Sequence, residues 1–389
     1  MVLRLVLKNK YDWFIILVIL YSITTLVQSL LPFSFNRIIV LLVAILLFSE
    51  FKVRRLKAIV LLYLISFFCI SCLISNDIVV NVNDFIYFAV ALIHLCLFAD
   101  QSSWECLLHA FDKKRKLIKR VAYIDFAVIL IAFLSPSCYV QHWGEGMYLY
   151  GFTESGHAMA ASTCLALSML VAVFYNQKFK LVHFLMIGFE VLVILRTGAR
   201  VFLIPLLILL YFFIKNQINN KKMRRFICFG GVAIFGFVLF RSNMMDKFLY
   251  AINNPYNNLD FFYSFTSGRS TFWYVDLKDF LESNIINQFF GHGFSYIYKL
   301  NLEKAGMEIW AHNDFINILI AGGILGLIIY VWVLCKMLRT ACLNVNKITS
   351  ICILLYILFP AFMNGYYSYY HFFASSFFMI LAIKKERMG

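Results

Sequence analysis

Charged residues are scarce in this chain. Of its 389 residues only 14% are charged, while 62% are hydrophobic, and the mean hydropathy is +0.81. So few charged residues cannot keep the surface of a soluble protein hydrated. The composition therefore excludes an ordinary soluble domain and predicts that lipid surrounds much of the chain. Series of short strands bounded by turn residues are also missing. The sequence therefore disfavours a β-barrel and predicts an all-α, polytopic membrane protein.

Several motifs of catalysis are missing as well. The sequence has no zinc-spaced His and Cys cluster, no P-loop, no Gly-x-Ser-x-Gly turn and no acidic metal motif in the segments predicted to face outward. These gaps disfavour chemistry driven by ATP or by a bound metal, and we predict no cofactor. The ten cysteines lie mostly in apolar segments, so no disulfide framework is expected. Cys69 and Cys72 form a Cys-x-x-Cys pair inside a predicted membrane helix, where ordinary packing explains them.

The net charge of +15 is compatible with nucleic-acid binding, but a basic face for that purpose must be solvated, and this chain has little solvated surface. We therefore predict no nucleic-acid partner. The basic residues cluster instead in alternate loops. The clusters are Arg54 to Lys57, Lys113 to Lys116, Lys221 to Arg225 and Lys384 to Arg387. This is the positive-inside pattern of a membrane protein, and it places both termini in the cytoplasm.

Apolar runs of the length needed to cross about 30 Å of hydrocarbon recur along the whole chain. Together with the basic loops they predict twelve membrane helices in a single transmembrane domain, residues 1–389. The predicted helices lie near residues 12–30, 37–50, 58–75, 85–99, 121–136, 157–175, 181–196, 201–215, 226–241, 312–334, 348–363 and 370–383. No internal repeat indicates the two related halves of a transporter.

Two predicted outer connections, 138–155 and 242–311, are unlike the others, and function is expected there. The longer one is predicted to form a helical cap over the outer face, because it contains an amphipathic helix. The predicted apolar face of that helix consists of Trp273, Leu277, Phe280 and Leu281, and the predicted polar face of Asp276, Asp279 and Glu282. A tight turn, Gly291 to Gly293, and a second helical stretch, 296–305, closed by Gly306, follow it.

Cations are rare in the predicted outer segments, so each one there needs a reason. Arg196 and Arg200 flank a glycine turn, Arg-Thr-Gly-Ala-Arg, where two guanidinium groups and backbone N–H groups suit a phosphate. Arg269 precedes the amphipathic helix of the cap and is a third candidate. Snorkelling at the membrane interface is the alternative for the turn pair, and a plain surface position is the alternative for Arg269.

His312 lies where the chain enters the membrane from the outer side, in Trp-Ala-His-Asn-Asp-Phe. A helix N-terminus attracts anions, and histidine titrates near neutral pH, so His312 is a candidate general base. A structural role is the alternative. Asn313 or Asp314 can cap the helix. Glu154 and His157, at the outer end of the sixth predicted helix, are weaker candidates for which capping is an equal alternative.

Four short motifs, in this order, resemble the O-antigen polymerase and O-antigen ligase superfamily. They are Thr-Gly-Ala-Arg ending at Arg200, Gly-Arg-x-x-x-Trp at Gly268 to Trp273, Phe-Gly-x-Gly-Phe at Phe290 to Phe294, and His-Asn at His312 and Asn313. The resemblance covers the architecture of the whole chain, with its motifs between Arg196 and Gly326. It implies a GT-C-like, metal-independent glycosyltransferase of a bacterial inner membrane that acts at the periplasmic face on oligosaccharides carried by undecaprenyl diphosphate.

The resemblance assigns Arg200 and Arg269 to the diphosphate of the donor and His312 to the acceptor hydroxyl. Further predicted substrate contacts are Arg196, Arg241, Asn313, Glu154 and His292. Membrane lipid and a chain-length regulator protein are the other expected partners.

The choice within the superfamily is open, because a polymerase and a ligase use the same donor. We favour the polymerase, since the richness in Phe, Ile, Asn, Lys and Tyr resembles polymerases encoded in AT-rich polysaccharide clusters. An O-antigen ligase, which transfers the polysaccharide to lipid A core, is the first alternative. A flippase or other transporter is the second alternative. A transporter is expected to have charged residues along a central path, and Glu190 is the only clear charge in the middle of a predicted helix.

Overall fold

In the computed structural model the chain folds into a bundle of helices with a small helical cap. The structure describes residues 10–31, 35–48, 55–75, 77–141, 146–175, 177, 179–218, 220–242, 244–246, 249, 266 and 268–388. Of these residues, 82% are helical. The regular elements are α1 (Lys10–Leu26), α2 (Phe35–Phe48), α3 (Arg55–Ile74), α4 (Ile78–Phe98), α5 (Gln101–Leu134), β1 (Tyr139–Gln141), β2 (Met147–Leu149), α6 (Gly156–Val173), α7 (Leu181–Arg196), α8 (Leu203–Gln217), α9 (Lys221–Phe240), α10 (Arg269–Glu282), α11 (Ile285–Phe290), α12 (Tyr296–Ala305), α13 (Asp314–Ala341), α14 (Lys347–Met363) and α15 (Tyr370–Met388).

Five helices in the described part of the chain are long and apolar enough to cross a membrane. They cover Leu56–Ile74, Ile78–Phe98, Gly156–Val173, Arg200–Gln217 and Asp314–Ala341. The predicted all-α membrane protein is therefore confirmed at this level. Helices also overlap each of the twelve predicted segments, but twelve complete crossings, the single domain and the sidedness of the termini stay predictions. Residues 1–9 and 389, at the two termini, lie outside the described residues.

One predicted loop is helical in the structure. The basic cluster Lys113 to Lys116 is predicted to lie in a cytoplasmic loop, but α5 runs without interruption through it. The helix continues because the cluster finds backbone acceptors at the end of α6. The Arg115 guanidinium donates to the carbonyls of Val173 and Tyr175, at 2.7 Å and 3.0 Å. Arg115 thereby satisfies carbonyls at the C-terminus of α6 and just beyond it.

The centre of the bundle is α6, of which 89% is buried inside the protein. It packs against α1, α5, α7, α8 and α15. Small residues such as Ala160 and Ala161 are fully buried on it and allow neighbouring helices to approach closely. The N-terminal end of α6 is the end predicted to face outward, and the candidate site lies there.

The side of the bundle that is predicted to face outward carries two folded connections. In the shorter one, β1 and β2 form an antiparallel hairpin in which Val140 pairs with Tyr148, a local pairing that the sequence analysis did not predict. In the longer one, α10, α11 and α12 lie against α13 and form the described part of the predicted cap. Residues 243, 247–248, 250–265 and 267 of the predicted 242–311 loop lie outside the described residues.

The predicted faces of α10 are partly wrong. Trp273 and Phe280 are buried as expected, but Leu277 and Leu281, predicted to join them, are 40% and 73% exposed. Asp276, predicted to face solvent, is fully buried. The reason is that α12 packs against α10 and places Asn301 beside Asp276, whereas Leu277 and Leu281 face away from the bundle.

Candidate functional site

Arg269 is the first residue of α10, and its side chain is held by two other helix ends. Gly268 before it takes a φ of +83°, a left-handed conformation that glycine adopts without strain. The Arg269 guanidinium donates to the carbonyl of Met363 and, at 3.0 Å, to the side-chain oxygen of Asn364. It also lies 3.3 Å from Nε2 of His157. The ends of α10, α14 and α6 therefore meet at this cation.

The hydrogen-bonding partners of Arg269 among the described residues are a carbonyl, an amide and an imidazole, with no carboxylate among them. Loss of hydration lowers the pKa of Arg269 to about 10; the phenol of Tyr369 opposes that shift and the positive charge of Arg200 adds to it. Arg269 is still protonated at neutral pH. A cation held by uncharged groups, near a second cation, is suited to binding an anion.

Arg200 lies on the predicted glycine turn, which packs against the start of α6. A Cβ on Gly156 would lie 2.6 Å from the carbonyl oxygen of Thr197, so the turn and the helix touch through backbone atoms. The ring of Phe202 contacts that of His157, with centroids 6.5 Å apart. His157 therefore contacts both Arg269 and Phe202, and Phe202 lies two residues after Arg200. The structure thus brings Arg200 and Arg269 to the same region.

His312 is placed near Arg269 by the first turn of α10. The indole nitrogen of Trp273 donates to the carbonyl of Ala311 at 2.6 Å, and His312 is the next residue. Trp273 lies four residues after Arg269, which is about 6 Å along the helix axis. His312 takes a φ of +51°, unusual for a residue with a side chain. Strained backbone of this kind is concentrated at functional sites.

A second path of contacts joins the same residues. Asn364, which accepts a hydrogen bond from Arg269, is followed by Gly365, where an added Cβ would lie 2.3 Å from the ring of Trp310. The Trp310 ring packs on His312 with centroids 4.7 Å apart. We call Arg269, His157, Asn364, Trp310 and His312 the outer cluster.

A cavity of about 290 Å³ lies beside the outer cluster, between the C-terminal end of α1, the N-terminal ends of α2, α4 and α6, and α12. Its lining includes Arg37, Asp84, Glu154, Tyr298, Trp310 and Tyr369. Trp310 belongs to the outer cluster, and the ring of Tyr369 lies 6.5 Å from the rings of both Trp310 and His157. The cavity and the outer cluster therefore form one continuous site.

Planar polar groups and aromatic rings line the cavity. The amide of Gln28 donates to the carboxylate of Glu154 at 2.6 Å and accepts from the amide of Asn36 at 2.6 Å. On another side, the phenol of Tyr298 donates to the carboxylate of Asp84 at 2.8 Å. This second bond ties α12 of the cap to α4 of the bundle. The lining offers donors, acceptors and flat apolar faces to a ligand.

The other predicted contacts have different positions. Glu154 lines the cavity. Asn313 caps α13, with its side-chain oxygen accepting from two backbone amides at 3.0 Å and 3.2 Å, so its predicted capping role is confirmed. His292 stacks on a neighbouring tyrosine ring, with centroids 4.1 Å apart, in the turn after α11. Arg196 and Arg241 are exposed at helix ends. Substrate contact for these residues stays a prediction.

Sequence reasoning missed Arg37, Asp84, Tyr298 and Asn364. A signal existed for Arg37, because it begins the second predicted helix on the outer side, where cations are rare. The reasoning that selected the other outer arginines applies to it equally. The remaining three residues are ordinary polar residues near helix ends, and only the fold assembles them.

Comparison with known proteins identifies no relative, since no family model, curated protein or solved structure matches the chain. The function is therefore argued from the site itself.

Proposed function

We propose that the chain is a metal-independent glycosyltransferase that polymerises O-antigen or a related surface polysaccharide. It joins repeat units carried by undecaprenyl diphosphate at the periplasmic face of the inner membrane, within a GT-C-like bundle of twelve spans. One observation carries the proposal: Arg269, a cation with uncharged partners, lies near Arg200 at the end of the bundle predicted to face outward.

A cation removed in part from water is costly unless an anion compensates it. Among the described residues no carboxylate contacts Arg269, so a ligand is the natural source of that anion. A lipid diphosphate fits this position because its polyprenyl tail remains among the helices while its phosphates reach the outer ends. Guanidinium groups bind phosphate oxygens in pairs and keep their charge at any physiological pH.

The cavity supports a saccharide ligand. Its volume of about 290 Å³ is near the lower end of small-molecule sites, which span roughly 300–1,000 Å³. Hydroxyl groups both donate and accept hydrogen bonds, and the carboxylates of Asp84 and Glu154 and the amide of Gln28 offer partners of both kinds. The rings of Tyr298 and Trp310 offer flat apolar faces for the C–H face of a sugar.

In the proposed reaction the acceptor hydroxyl loses its proton to His312 as its oxygen attacks the anomeric carbon of the donor sugar. A carbon–oxygen bond forms there, and the bond from the same carbon to the diphosphate oxygen breaks. The electron pair leaves with the diphosphate, and Arg269 and Arg200 stabilise its growing negative charge. The two arginines supply the positive charge that this leaving group requires.

A transporter is the second candidate, and one observation favours it. Glu190 on α7 and Asp125 on α5 are both buried and interact electrostatically, and Asp125 accepts a hydrogen bond from Ser22 at 2.6 Å. Buried carboxylates in membrane helices often mark ion or substrate paths. The two candidates differ in the lipid-linked saccharide that accumulates when function is lost, and that product distinguishes them.

The test uses cells that lack the gene and are complemented with wild type, Arg269→Ala, Arg269→Lys or Arg339→Ala at matched expression. Arg339 is the control, since it is exposed in the last turn of α13, at the end of that helix opposite His312. Surface polysaccharide is separated by length on a gel, and lipid-linked saccharide is extracted in parallel. We expect the long ladder to be lost with Arg269→Ala and retained with Arg339→Ala. Arg269→Lys should remain impaired, because an ammonium group lacks the paired donors of a guanidinium.

Each pattern has a defined meaning. A single repeat unit attached to the core, with no ladder, supports the polymerase. Loss of all attached polysaccharide with lipid-linked chains still made supports the ligase. Lipid-linked single units that accumulate on the cytoplasmic face in the deletion strain support the transporter. A normal ladder from Arg269→Ala contradicts the assignment of Arg269 to catalysis.

A further inference from the structure

The turn after α11 is bound to the backbone of a membrane-spanning helix. The amide of His292 donates to the carbonyl of Ile320, and that of Gly293 to the carbonyl of Ala321, both at 2.9 Å. These acceptors are available because α13 is interrupted at Gly323, which takes a φ of +67°. The interruption removes the partners of carbonyls in the preceding turn.

Residue counting along α13 places the acceptors within the span predicted to cross the membrane. Lys336 is exposed on α13, and its ammonium lies 4.4 Å from the centroid of the Trp332 ring, an arrangement typical of a membrane interface. About 20 helical residues cross the hydrocarbon, so the opposite boundary falls near Ile316. Ile320 and Ala321 are then about 6 to 8 Å inside that boundary, at 1.5 Å per residue. The turn that binds them lies at the same depth.

Side chains satisfy backbone groups at the corner between α10 and α11. The side-chain amide of Gln288 donates to the carbonyls of Leu281 and Ser283, at 3.2 Å and 3.0 Å. The side-chain oxygen of Asn284 accepts from the amide of Asn287 at 2.9 Å. Polar groups at this corner therefore bind one another instead of water, as they must where water is excluded.

The apolar side chains of α11 face outward. Ile285, Ile286, Phe289 and Phe290 are 70%, 66%, 51% and 45% exposed. On the inner side, a Cβ on Gly323 would lie 2.3 Å from the carbonyl oxygen of Phe289, so backbone touches backbone and the side chains must project away from α13. Exposing these apolar side chains to water would carry a free-energy cost. The membrane helix on which it lies also exposes apolar side chains, among them Leu325 and Ile328, which are 39% and 59% exposed.

We infer that α11 is a re-entrant segment of the outer connection, which enters the outer leaflet and places Ile285, Ile286, Phe289 and Phe290 against lipid acyl chains. Its partner is the bilayer itself. Glu282, 68% exposed at the side chain and close to Lys278, ends α10 just before the segment and remains at the level of the head groups. The inference concerns how deeply the cap lies in the membrane, and it does not depend on the proposed glycosyltransferase function.

The test places the photocrosslinking residue p-benzoylphenylalanine at single positions of the full chain in phosphatidylcholine vesicles. Phe289 and Ile286 are the test positions. Ile328, 59% exposed on α13, is the lipid-facing control, and Lys299, exposed on α12, is the water-facing control. After irradiation, lipid adducts are counted by mass spectrometry. Size-exclusion profiles show whether each variant folds.

We expect lipid adducts at Phe289 and Ile286 close to the yield at Ile328, and on the order of tenfold above Lys299, because a side chain in water meets acyl chains rarely. Yields at both test positions equal to that at Lys299 would mean that α11 lies in water and would overturn the inference. Crosslinks to a second copy of the chain in place of lipid would also overturn it, since the surface would then be a protein interface.

Discussion

Gly291→Ala is expected to release α11 from α13. An added Cβ would lie 2.1 Å from the carbonyl oxygen of Ala321 and 2.5 Å from the amide nitrogen of Gly322. Both are backbone atoms that cannot rotate aside, so the turn must retreat by more than about 1 Å to reach van der Waals separation. That displacement breaks the hydrogen bonds that His292 and Gly293 donate to α13.

The free-energy cost of Gly291→Ala has two parts. Gly291 combines a φ of +79° with a ψ of −172°, a region that is essentially restricted to glycine, so alanine there costs about 1–3 kcal/mol. Each of the two lost backbone hydrogen bonds costs about 0.5–1.5 kcal/mol net. The total is about 2–6 kcal/mol, which corresponds to a factor of about 30 or more in the equilibrium for local opening, at 1.4 kcal/mol per tenfold.

Hydrogen exchange measured by mass spectrometry on peptides that cover residues 285–296 reports this opening. We expect exchange to be faster by about 30-fold or more in Gly291→Ala, with peptides from α6 unchanged. Gly306→Ala is the control, because Gly306 also has a positive φ, +72°, but nothing lies within 4 Å of an added Cβ. The reasoning fails if Gly291→Ala exchanges like wild type, or if Gly306→Ala accelerates the same peptides equally.

Three further predictions concern the site and the cap. His312→Asn should retain the backbone, since asparagine tolerates left-handed φ, but reduce polymer synthesis by about 10²–10⁴-fold through loss of the base; normal synthesis contradicts that role. Tyr298→Phe removes the donor to Asp84 and should destabilise the docked cap by about 1–3 kcal/mol, whereas Tyr274→Phe, 67% exposed, should not; unfolding midpoints measure both. Burial raises the pKa of Asp276 to about 8, and the nearby side chain of Asn301 partly opposes that shift. Because this exceeds the value of about 3.9 for an unfolded aspartate, the stabilising effect of the bound proton is complete below about pH 4 and is lost as the pH rises through about 8. Asp276→Asn should flatten this dependence in thermal unfolding, and an unchanged slope would contradict it.

Membrane class and helix positions follow from local pattern. Apolar runs of membrane length predict a helix at each of twelve segments, and a helix is found over each. Asn313 is predictable as a cap because a polar side chain precedes an apolar run, and its contacts depend only on residues two and three positions later. Such features depend on neighbours along the chain, which the sequence displays directly.

The faces of α10 show where local pattern becomes insufficient. Its periodicity correctly predicts that one side is buried, and Trp273 and Phe280 lie there. It does not predict which adjacent residues α12 covers, so Asp276 is buried and Leu277 is exposed, against the prediction. Amphipathic spacing predicts which side of a helix is buried, but the element that packs against the helix decides which residues at the margins of that side are covered.

The sequence by itself determined that this is an all-α membrane protein with a helical outer connection, and it drew attention to Arg200, Arg269 and His312 as residue types suited to anion and proton chemistry. Only the tertiary structure decided what surrounds them. Arg269 meets His157 and Asn364, which are 112 and 95 positions away in the chain. The physical reason is that helical periodicity constrains residues three or four positions apart, whereas contacts over such separations depend on which helix ends pack together.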